Sequence, residues 1–222
     1  MKNHREGGGG PVVECVLWDW NGTLLDDAEY AVSVRNRIFP RFGLPALSSM
    51  AEYHAQFTFP VRTYYERAGV TDENFVAVAN AWMDEYVAGC ADLRLMPDAL
   101  WVLDRFRASG ARQAVLSASH VETLRAQLAR FPILPYFDEL LGLDHIYATS
   151  KEHLGREYLK REEIAPERTA LLGDTLHDAE VAKALGCRCV LIARGHQSRE
   201  TLLTAGVPVT ATLTEACELL TQ

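Results

Sequence analysis

Three aspartates lie where a metal or phosphoryl site could form. Asp19 ends the apolar run VVECVLWD (12–19), Asp174 ends RTALLGD (168–174), and Asp178 follows one helical turn later. Such runs are typical of buried strands, and ligands of an open parallel sheet bind beyond the carboxyl ends of its strands. Three carboxylates gathered there would repel one another unless a cation lay among them. An all-oxygen set of this kind suits Mg²⁺.

A serine and a lysine are candidates to bind a phosphate beside these aspartates. Ser117 ends the apolar run ARQAVLS (111–117), and Lys151 opens a predicted helix between that run and the next. A lysine supplies a point charge and a serine supplies a hydroxyl donor, and both suit the oxygens of a phosphate. The chain has only four lysines against eighteen arginines, so a lysine at this place is informative.

These residues need strands that alternate with helices to bring them together. Five apolar runs have the character of buried strands, at 12–19, 111–117, 168–174, 187–193 and, in shorter form, 208–213. The stretches between them have the spacing of amphipathic helices, and two end in glycine, as a helix often does. The pattern predicts an α/β fold in which helices cover both faces of a parallel sheet.

Residues 28–94 break this alternation, because they have helical spacing throughout and no strand-like run. The simplest arrangement is an all-helical insertion after the first strand, connected through residues 24–27 and 95–98. We therefore predict a flexible, glycine-rich tail at 1–11, an α/β core made of 12–27 and 95–222, and a helical cap at 28–94.

Four short motifs resemble those of the haloacid dehalogenase superfamily in order and spacing. They are DWNGT (19–23), SAS (117–119), Lys151 and GDTLHD (173–178). The helical insertion after the first motif is similar to the subfamily that includes phosphoglycolate-phosphatase-like and β-phosphoglucomutase-like enzymes. The resemblance implies a doubly wound α/β core with an inserted helical cap, and a Mg²⁺-dependent phosphatase acting on a small phosphorylated substrate.

The resemblance also implies a nucleophile and a metal site. Asp19 would attack phosphorus and form an aspartyl-phosphate, which is a covalent intermediate. The Mg²⁺ ligands would be Asp19, the backbone carbonyl of Asn21, Asp174 and, through water or as an orienting group, Asp178.

A second set of residues would hold the phosphoryl group. Ser117 and the amide of Ala118 would bind its oxygens, Lys151 would neutralise Asp19, and Thr23 would donate to the group or orient Asp19. The implied catalytic residues are Asp19, Asn21, Thr23, Ser117 and Lys151. The implied phosphate- and substrate-binding residues are Gly22, Ser117, Ala118, Lys151, Arg62 and His120.

Asn21 departs from the family pattern, because most of its phosphatases carry a second aspartate there. That acid protonates the leaving oxygen and then activates water, which is typically worth about 10²–10⁴-fold in rate. An amide does not exchange a proton near pH 7. The substrate could have a good leaving group or supply its own proton, or His120 or a cap residue could take the role. Phosphoryl transfer, a mutase reaction and a catalytically weak phosphate-binding pseudoenzyme also stay open.

Two related reactions are disfavoured. Phosphonoacetaldehyde hydrolases of this family use a cap lysine, and residues 28–94 contain none. Haloacid dehalogenases lack the fourth-motif pattern that is retained here as GDTLHD (173–178).

The segment 57–69 resembles the substrate-specificity loop of the capped enzymes. Arg62 is the candidate there for a second anionic group of the substrate, and His54 and Tyr64 are further candidates. Trp18 is expected in the core, and Trp20 in the cleft between core and cap.

The composition limits the partners. A formal net charge of −8 over 222 residues argues against nucleic acid or an anionic membrane as a partner. No run of about 18 apolar residues predicts a membrane span, and the N-terminus lacks the apolar segment of a signal peptide. Five scattered cysteines fit reduced core thiols. We expect a cytoplasmic protein that is a monomer or a weak homodimer.

Overall fold

A single sheet positions the residues singled out above. The computed structural model describes residues 13–147 and 150–222, so the tail expected at 1–11 lies outside the described residues. The strands are β1 Cys15–Trp18, β2 Leu25–Asp26, β3 Arg94–Leu95, β4 Arg112–His120, β5 Glu139–Leu143, β6 Thr169–Gly173, β7 Arg188–Ile192 and β8 Val209–Thr210. The α-helices are α1 Ala28–Ile38, α2 Met50–Gln56, α3 Val61–Arg67, α4 Phe75–Gly89, α5 Ala99–Ala108, α6 Val121–Leu128, α7 Glu152–Arg161, α8 Leu176–Leu185, α9 Arg199–Leu202 and α10 Leu213–Leu220.

The main sheet is parallel, with strand order β5-β4-β1-β6-β7-β8. Strand β1 lies in the middle, where Trp18 pairs with Val115 of β4 and Leu172 of β6. The residues that follow these three strands therefore emerge at one edge of the sheet, next to one another. The predicted α/β class is confirmed.

Both faces of β1 are buried against helices. Val16 and Trp18 belong to an apolar cluster with α5 and α10, while Cys15 and Leu17 belong to another with α7 and α8. All four side chains are inaccessible to solvent, and burying a large aliphatic side chain contributes about 1.5–3 kcal/mol. If β1 shifted by one residue against its neighbours, the side chains on its two faces would exchange places. The packing of both faces therefore fixes the register of β1, which places Asp19 at the sheet edge.

Within the described residues, the runs predicted at 12–19, 111–117, 168–174 and 187–193 each contain a strand, namely β1, β4, β6 and β7, and 208–213 contributes the short β8. Strand β5 was not among the predicted strands. Its sequence ELLGL contains a glycine, and three of its five residues are only partly buried because it lies at the sheet edge. An edge strand of this kind lacks the continuous apolar run by which buried parallel strands are recognised.

Helices α1–α4, here called the cap, lie between β2 and β3. These two strands pair antiparallel, with Leu25 opposite Leu95, so the two connections of the cap run side by side. The cap helices bury their own apolar cluster, which includes Phe39, Tyr65 and Val78. The helical character predicted for this segment is confirmed, while the domain boundaries at 27/28 and 94/95 stay predictions.

The five cysteines are free, and burial raises the pKa of Cys15 to about 12, as expected of an inert core thiol. Among the residues that the structure describes, no helix combines the length and the apolarity that a membrane span requires.

Candidate active site

Asp19 directly follows the central strand and is held by a buried lysine. Its backbone N–H donates to the Leu172 carbonyl at 2.9 Å, which continues the β1–β6 ladder as far as the sheet edge. One carboxylate oxygen contacts the Lys151 ammonium. The Thr23 hydroxyl lies 3.3 Å from the other oxygen and 3.2 Å from Asp174. Asp19 is thus oriented at the wall of a cavity.

Three buried carboxylates meet at this edge. One ligand oxygen from each of Asp19, Asp174 and Asp178 lies within 4.8 Å of the others. Burial raises the pKa of Asp174 to about 8, and repulsion by its two acidic neighbours adds to the effect. Burial also raises the pKa of Asp19 to about 6, despite the opposing charge of Lys151. Three carboxylates that are buried this close together repel one another, and their donors are all oxygens, so the set fits a divalent cation.

Asp178 orders the site from the start of α8. Its Oδ2 accepts from the Thr175 hydroxyl at 2.6 Å and from the backbone N–H groups of Thr175 and Asp174 at 3.0 and 3.2 Å. Its Oδ1 lies 2.7 Å from the Lys151 ammonium. Burial acts to raise the pKa of Asp178, but Lys151 and Thr175 outweigh it and hold the pKa below its ordinary value. Asp178 therefore caps the helix and anchors the lysine.

The predicted phosphate-binding segment lies on the opposite side of β1. Ser117, Ala118 and His120 line the cavity. The pairing of β4 with β5 shifts register between Leu116 and His120, and such an irregularity redirects side chains out of a regular ladder. The Ser117 hydroxyl accepts from the Ser119 N–H at 3.1 Å, so its own proton can be donated to another acceptor.

Gly22 allows the backbone to approach the Asp174 carboxylate closely. Its φ of +73° suits glycine, and a Cβ added there would lie 2.3 Å from Asp174 Oδ2. Its N–H donates to Asp27 Oδ1 at 2.7 Å. The structure thus gives this N–H to a carboxylate and does not place Gly22 on the cavity wall, in contrast to the phosphate contact expected for it.

Comparisons with known proteins identify the family. A family model described as haloacid dehalogenase-like hydrolase matches residues 16–192. The chain belongs to this family. A phosphoglycolate phosphatase from Synechococcus elongatus is 23% identical over 193 residues, which cover 87% of this chain and 90% of that protein.

Solved structures share the fold of this hydrolase over nearly its whole length. A predicted phosphatase from Clostridium acetobutylicum gives a TM-score of 0.82 at 19% identity, covering 94% of this chain and 98% of that one. The Mycobacterium tuberculosis protein tyrosine kinase A (PtkA) gives 0.80 at 25% identity, covering 96% and 99%. The superfamily predicted from the motifs is confirmed.

The side chain of Asn21 is fully engaged in this hydrolase. Its Nδ2 donates to Asp27 Oδ2 at 2.8 Å and to the Tyr86 hydroxyl at 2.9 Å, while its Oδ1 accepts from the Ser119 hydroxyl at 2.8 Å. The Tyr86 hydroxyl in turn donates to Asp27 at 2.6 Å. Asn21 therefore connects the first motif to β4 and to cap helix α4, and its amide hydrogens suit the neighbouring carboxylate.

Replacing Asn21 with aspartate is expected to destabilise the protein by about 1–3 kcal/mol, because it sets a carboxylate against Asp27 and removes a donor. The double change Asn21→Asp/Asp27→Asn exchanges the two groups and is expected to recover part of that loss. Urea denaturation measures both, and Asn80→Asp on the exposed face of α4 is the matched control. Equal stability of the single variant and the control would contradict this interpretation of the pair.

Asp27 also faces a histidine that the sequence analysis missed. His196 Nε2 lies 3.5 Å from Asp27 Oδ1, and its Nδ1 lies 2.8 Å from the Tyr53 hydroxyl. The backbone N–H of His196 donates to Asp174 Oδ2 at 2.5 Å. Burial acts to lower the pKa of His196, but the nearby carboxylates, Asp27 foremost, raise it to about 9. His196 follows β7, so the strand-end rule that selected Asp19 also points to it.

The remaining predicted residues lie in different surroundings. Arg62 is exposed and forms ion pairs with Glu66, at 3.1 Å, and with Asp72. It is not among the residues that line the cavity, so the structure does not support the substrate contact expected for it. Tyr64 lines the cavity, whereas His54 Nε2 lies 3.1 Å from the Gly195 carbonyl.

The two tryptophans beside the nucleophile are both core residues. Trp18 is buried as expected, and its indole donates to Gln113 at 3.0 Å. The expectation that Trp20 lines the cleft is wrong. Its indole donates to Gln127 at 2.8 Å, its ring packs edge-on against Phe131, and its side chain is fully buried outside the cavity lining.

Proposed function

We propose that the protein is a Mg²⁺-dependent phosphohydrolase that acts on a small phosphorylated metabolite through an aspartyl-phosphate at Asp19. The observation that carries the proposal is the buried contact of Asp19 with Lys151 on a cavity wall, beside two further carboxylates. Membership of the hydrolase family and relatives named phosphoglycolate phosphatases support a phosphatase.

Mg²⁺ fits the residues present, because the side-chain donors are all carboxylate oxygens and three of them lie within 4.8 Å of one another in a buried site. Asp19, Asp174 and the backbone carbonyl of Asn21 would hold the ion, with Asp178 acting through water because Lys151 and the α8 cap engage its oxygens. Bound there, the ion would neutralise charge on the phosphoryl oxygens.

The residues of the chain account for the chemistry as follows. A carboxylate oxygen of Asp19 attacks phosphorus, and the bond to the leaving oxygen breaks as the aspartyl-phosphate forms. Lys151 neutralises the carboxylate and the phosphoryl oxygens, while Ser117 and the Ala118 amide donate hydrogen bonds. Water then attacks phosphorus, releasing phosphate and restoring Asp19. Asn21 exchanges no proton, so the leaving oxygen takes its proton from another source: solvent, the substrate itself, a cap residue or His120 on the cavity wall.

Phosphoryl transfer to an acceptor other than water is a second candidate. The Asn21 side chain bonds to Asp27, Tyr86 and Ser119, so it provides no base to activate a water molecule against the aspartyl-phosphate. A long-lived intermediate favours transfer to a better nucleophile. The likeness to PtkA, which is named as a protein tyrosine kinase, is consistent with this candidate.

Phosphate release from a panel of phosphorylated metabolites tests the proposal. With Mg²⁺, release from at least one ester is expected; EDTA should reduce it to the enzyme-free rate, and restored Mg²⁺ should recover it. Adding a sugar or a tyrosine peptide to a labelled reaction separates the candidates, because transfer moves the label to the acceptor. No release, no transfer and no phosphorylated Asp19 with any ester would refute both.

A further inference from the structure

A buried arginine of the cap lines the same cavity as Asp19. Arg35 lies on α1, is only 2% exposed and forms part of the cavity wall. Its Nη1 donates to the Pro45 carbonyl at 3.0 Å, and its guanidinium carbon lies 4.4 Å above the Phe39 ring. Its Nε has no hydrogen-bond partner among the described residues.

The charge of Arg35 also lacks a carboxylate partner. Within the part of the chain that the structure describes, no aspartate or glutamate oxygen lies within 4.0 Å of its guanidinium nitrogens. Glu52 is near enough to interact with it electrostatically, but that carboxylate accepts from the backbone and hydroxyl of Ser48 at 2.7 and 2.8 Å. Arginines that form ion pairs elsewhere, such as Arg37 and Arg194, are exposed or partly exposed. A buried charge without a partner is costly, so Arg35 is suited to an anion that arrives with a ligand.

A second buried polar atom lies beside it. Among the described residues the Tyr64 hydroxyl has no partner in regular hydrogen-bond geometry, although the Arg35 guanidinium is close enough to act on it as a hydrogen-bond partner, and Tyr64 also lines the cavity. The Tyr64 ring centre lies 5.9 Å from the guanidinium carbon, and the Arg35 charge acts on the hydroxyl. A hydroxyl donor next to a guanidinium is a common arrangement for binding an acidic group.

Aromatic rings supply much of the remaining cap wall of the cavity. Phe57, Tyr65, Phe75, Trp82 and Tyr86 all contribute to it. Flat rings favour a ligand whose body is itself planar and apolar, because stacked and edge-on contacts add to the burial of apolar area.

We propose that Arg35 and Tyr64 form a specificity subsite for a second acidic group, so that the substrate is a phosphate monoester with a planar, apolar body and a remote carboxylate or phosphate. This inference rests on the proposed function for the site of the phosphoryl group, and it names the substrate class of that site.

Binding of non-hydrolysable ligands tests the subsite. The probes are the para and meta isomers of carboxybenzylphosphonate and the corresponding neutral carbamoyl compounds, measured by calorimetry with Mg²⁺ present. The wild type is expected to bind at least one acid about 10- to 100-fold more tightly than its amide. Arg35→Gln should abolish this preference, whereas Arg37→Gln, on the same helix but exposed, should retain it. Tyr64→Phe, which keeps the ring, should reduce the preference by about 2- to 10-fold.

Equal binding of acid and amide by the wild type would overturn the inference, whether or not Arg35→Gln folds. A preference that survives in Arg35→Gln or is unchanged in Tyr64→Phe would also overturn it. Phosphate release from the matching carboxyphenyl and carbamoylphenyl phosphates separates the two proposals. Release without an acid preference leaves the phosphohydrolase standing and removes the subsite. An acid preference in binding supports the subsite even when neither compound releases phosphate, and failure with every ester of the metabolite panel as well would then remove the phosphohydrolase alone.

Discussion

Replacing Asp19 with asparagine is expected to reduce phosphate release by at least about 10⁴-fold. An amide oxygen does not replace a carboxylate as the nucleophile that forms the acyl-phosphate. The loss should appear in single-turnover experiments as well, with no label retained on the protein. Trapping of phosphorylated protein by the wild type, and its absence in the variant, measures the covalent step directly.

The same substitution should leave the folded protein no less stable in metal-free buffer. Burial raises the pKa of Asp19 to about 6, so its ionised form costs free energy in the folded state above that pH. Asparagine removes this charge from beside Asp174 and Asp178, and its carbonyl oxygen can still accept from Lys151. Urea denaturation at pH 8 measures the change.

Asp26→Asn is the matched control for Asp19→Asn, because Asp26 lies in the same segment with an exposed side chain. It should keep both the activity and the stability of the wild type. Residual turnover of Asp19→Asn within about 10-fold of the wild type would exclude Asp19 as the nucleophile. A loss of activity accompanied by a large loss of stability would point to a structural role instead.

The site residues of the α/β core could be predicted from the sequence, because most of them lie where a predicted strand ends. Asp19, Ser117 and Asp174 each end an apolar run, and parallel pairing of adjacent strands brings such ends together. Lys151 does not follow a strand, and the sequence indicated it by the rarity of lysine, by its place at the start of a predicted helix and by the family resemblance. Its position depends on Asp178 at the start of α8, 27 residues later, a contact that only the assembled fold shows.

The site residues contributed by the cap could not be predicted in the same way, because their positions depend on how helices α1–α4 pack over the sheet edge. The Tyr86 contact with Asn21 spans 65 residues, and no local pattern indicates it. Arg35 does have a sequence signal, since it falls with Ala31 and Ile38 on the buried stripe of α1. A charged residue on a buried stripe indicates a buried polar contact or a ligand. The sequence analysis instead predicted Arg62 for the second anionic group, because its segment resembles the family's specificity loop.

Replacing Lys151 with methionine is expected to lower the free energy of unfolding by about 3–5 kcal/mol, because it removes one partner of a buried ion-pair network. Lys151 is 2% exposed, and it contacts both Asp19 and Asp178. Methionine preserves much of the side-chain volume, so the loss would come from unpaired charge more than from a cavity. Phosphate release should fall by at least about 10²–10³-fold, as when a preorganised donor to a reacting oxygen is removed.

The pH dependence of Lys151→Met identifies the cause of that loss. Asp19 already has a pKa of about 6 in the folded wild type, and removal of the ammonium should raise it further. A carboxyl whose pKa is raised on folding takes up a proton in the folded state at a pH where the unfolded chain is still ionised. The deficit measured by urea denaturation should therefore be largest near pH 8 and shrink as the pH falls towards about 6, where Asp19 becomes protonated in the folded wild type as well.

Lys160→Met on the exposed side of the same helix separates buried charge from helix propensity. Since Lys160 is solvated and forms no ion pair within the described residues, its loss should change stability by less than about 0.5 kcal/mol at any pH. Mg²⁺ should raise the stability of Lys151→Met more than that of Lys160→Met, because a cation among three unpaired carboxylates replaces the missing compensation. Equal stability of the two variants near pH 8 would show that the carboxylates are not stabilised by Lys151, and would remove the electrostatic basis for a nucleophilic Asp19.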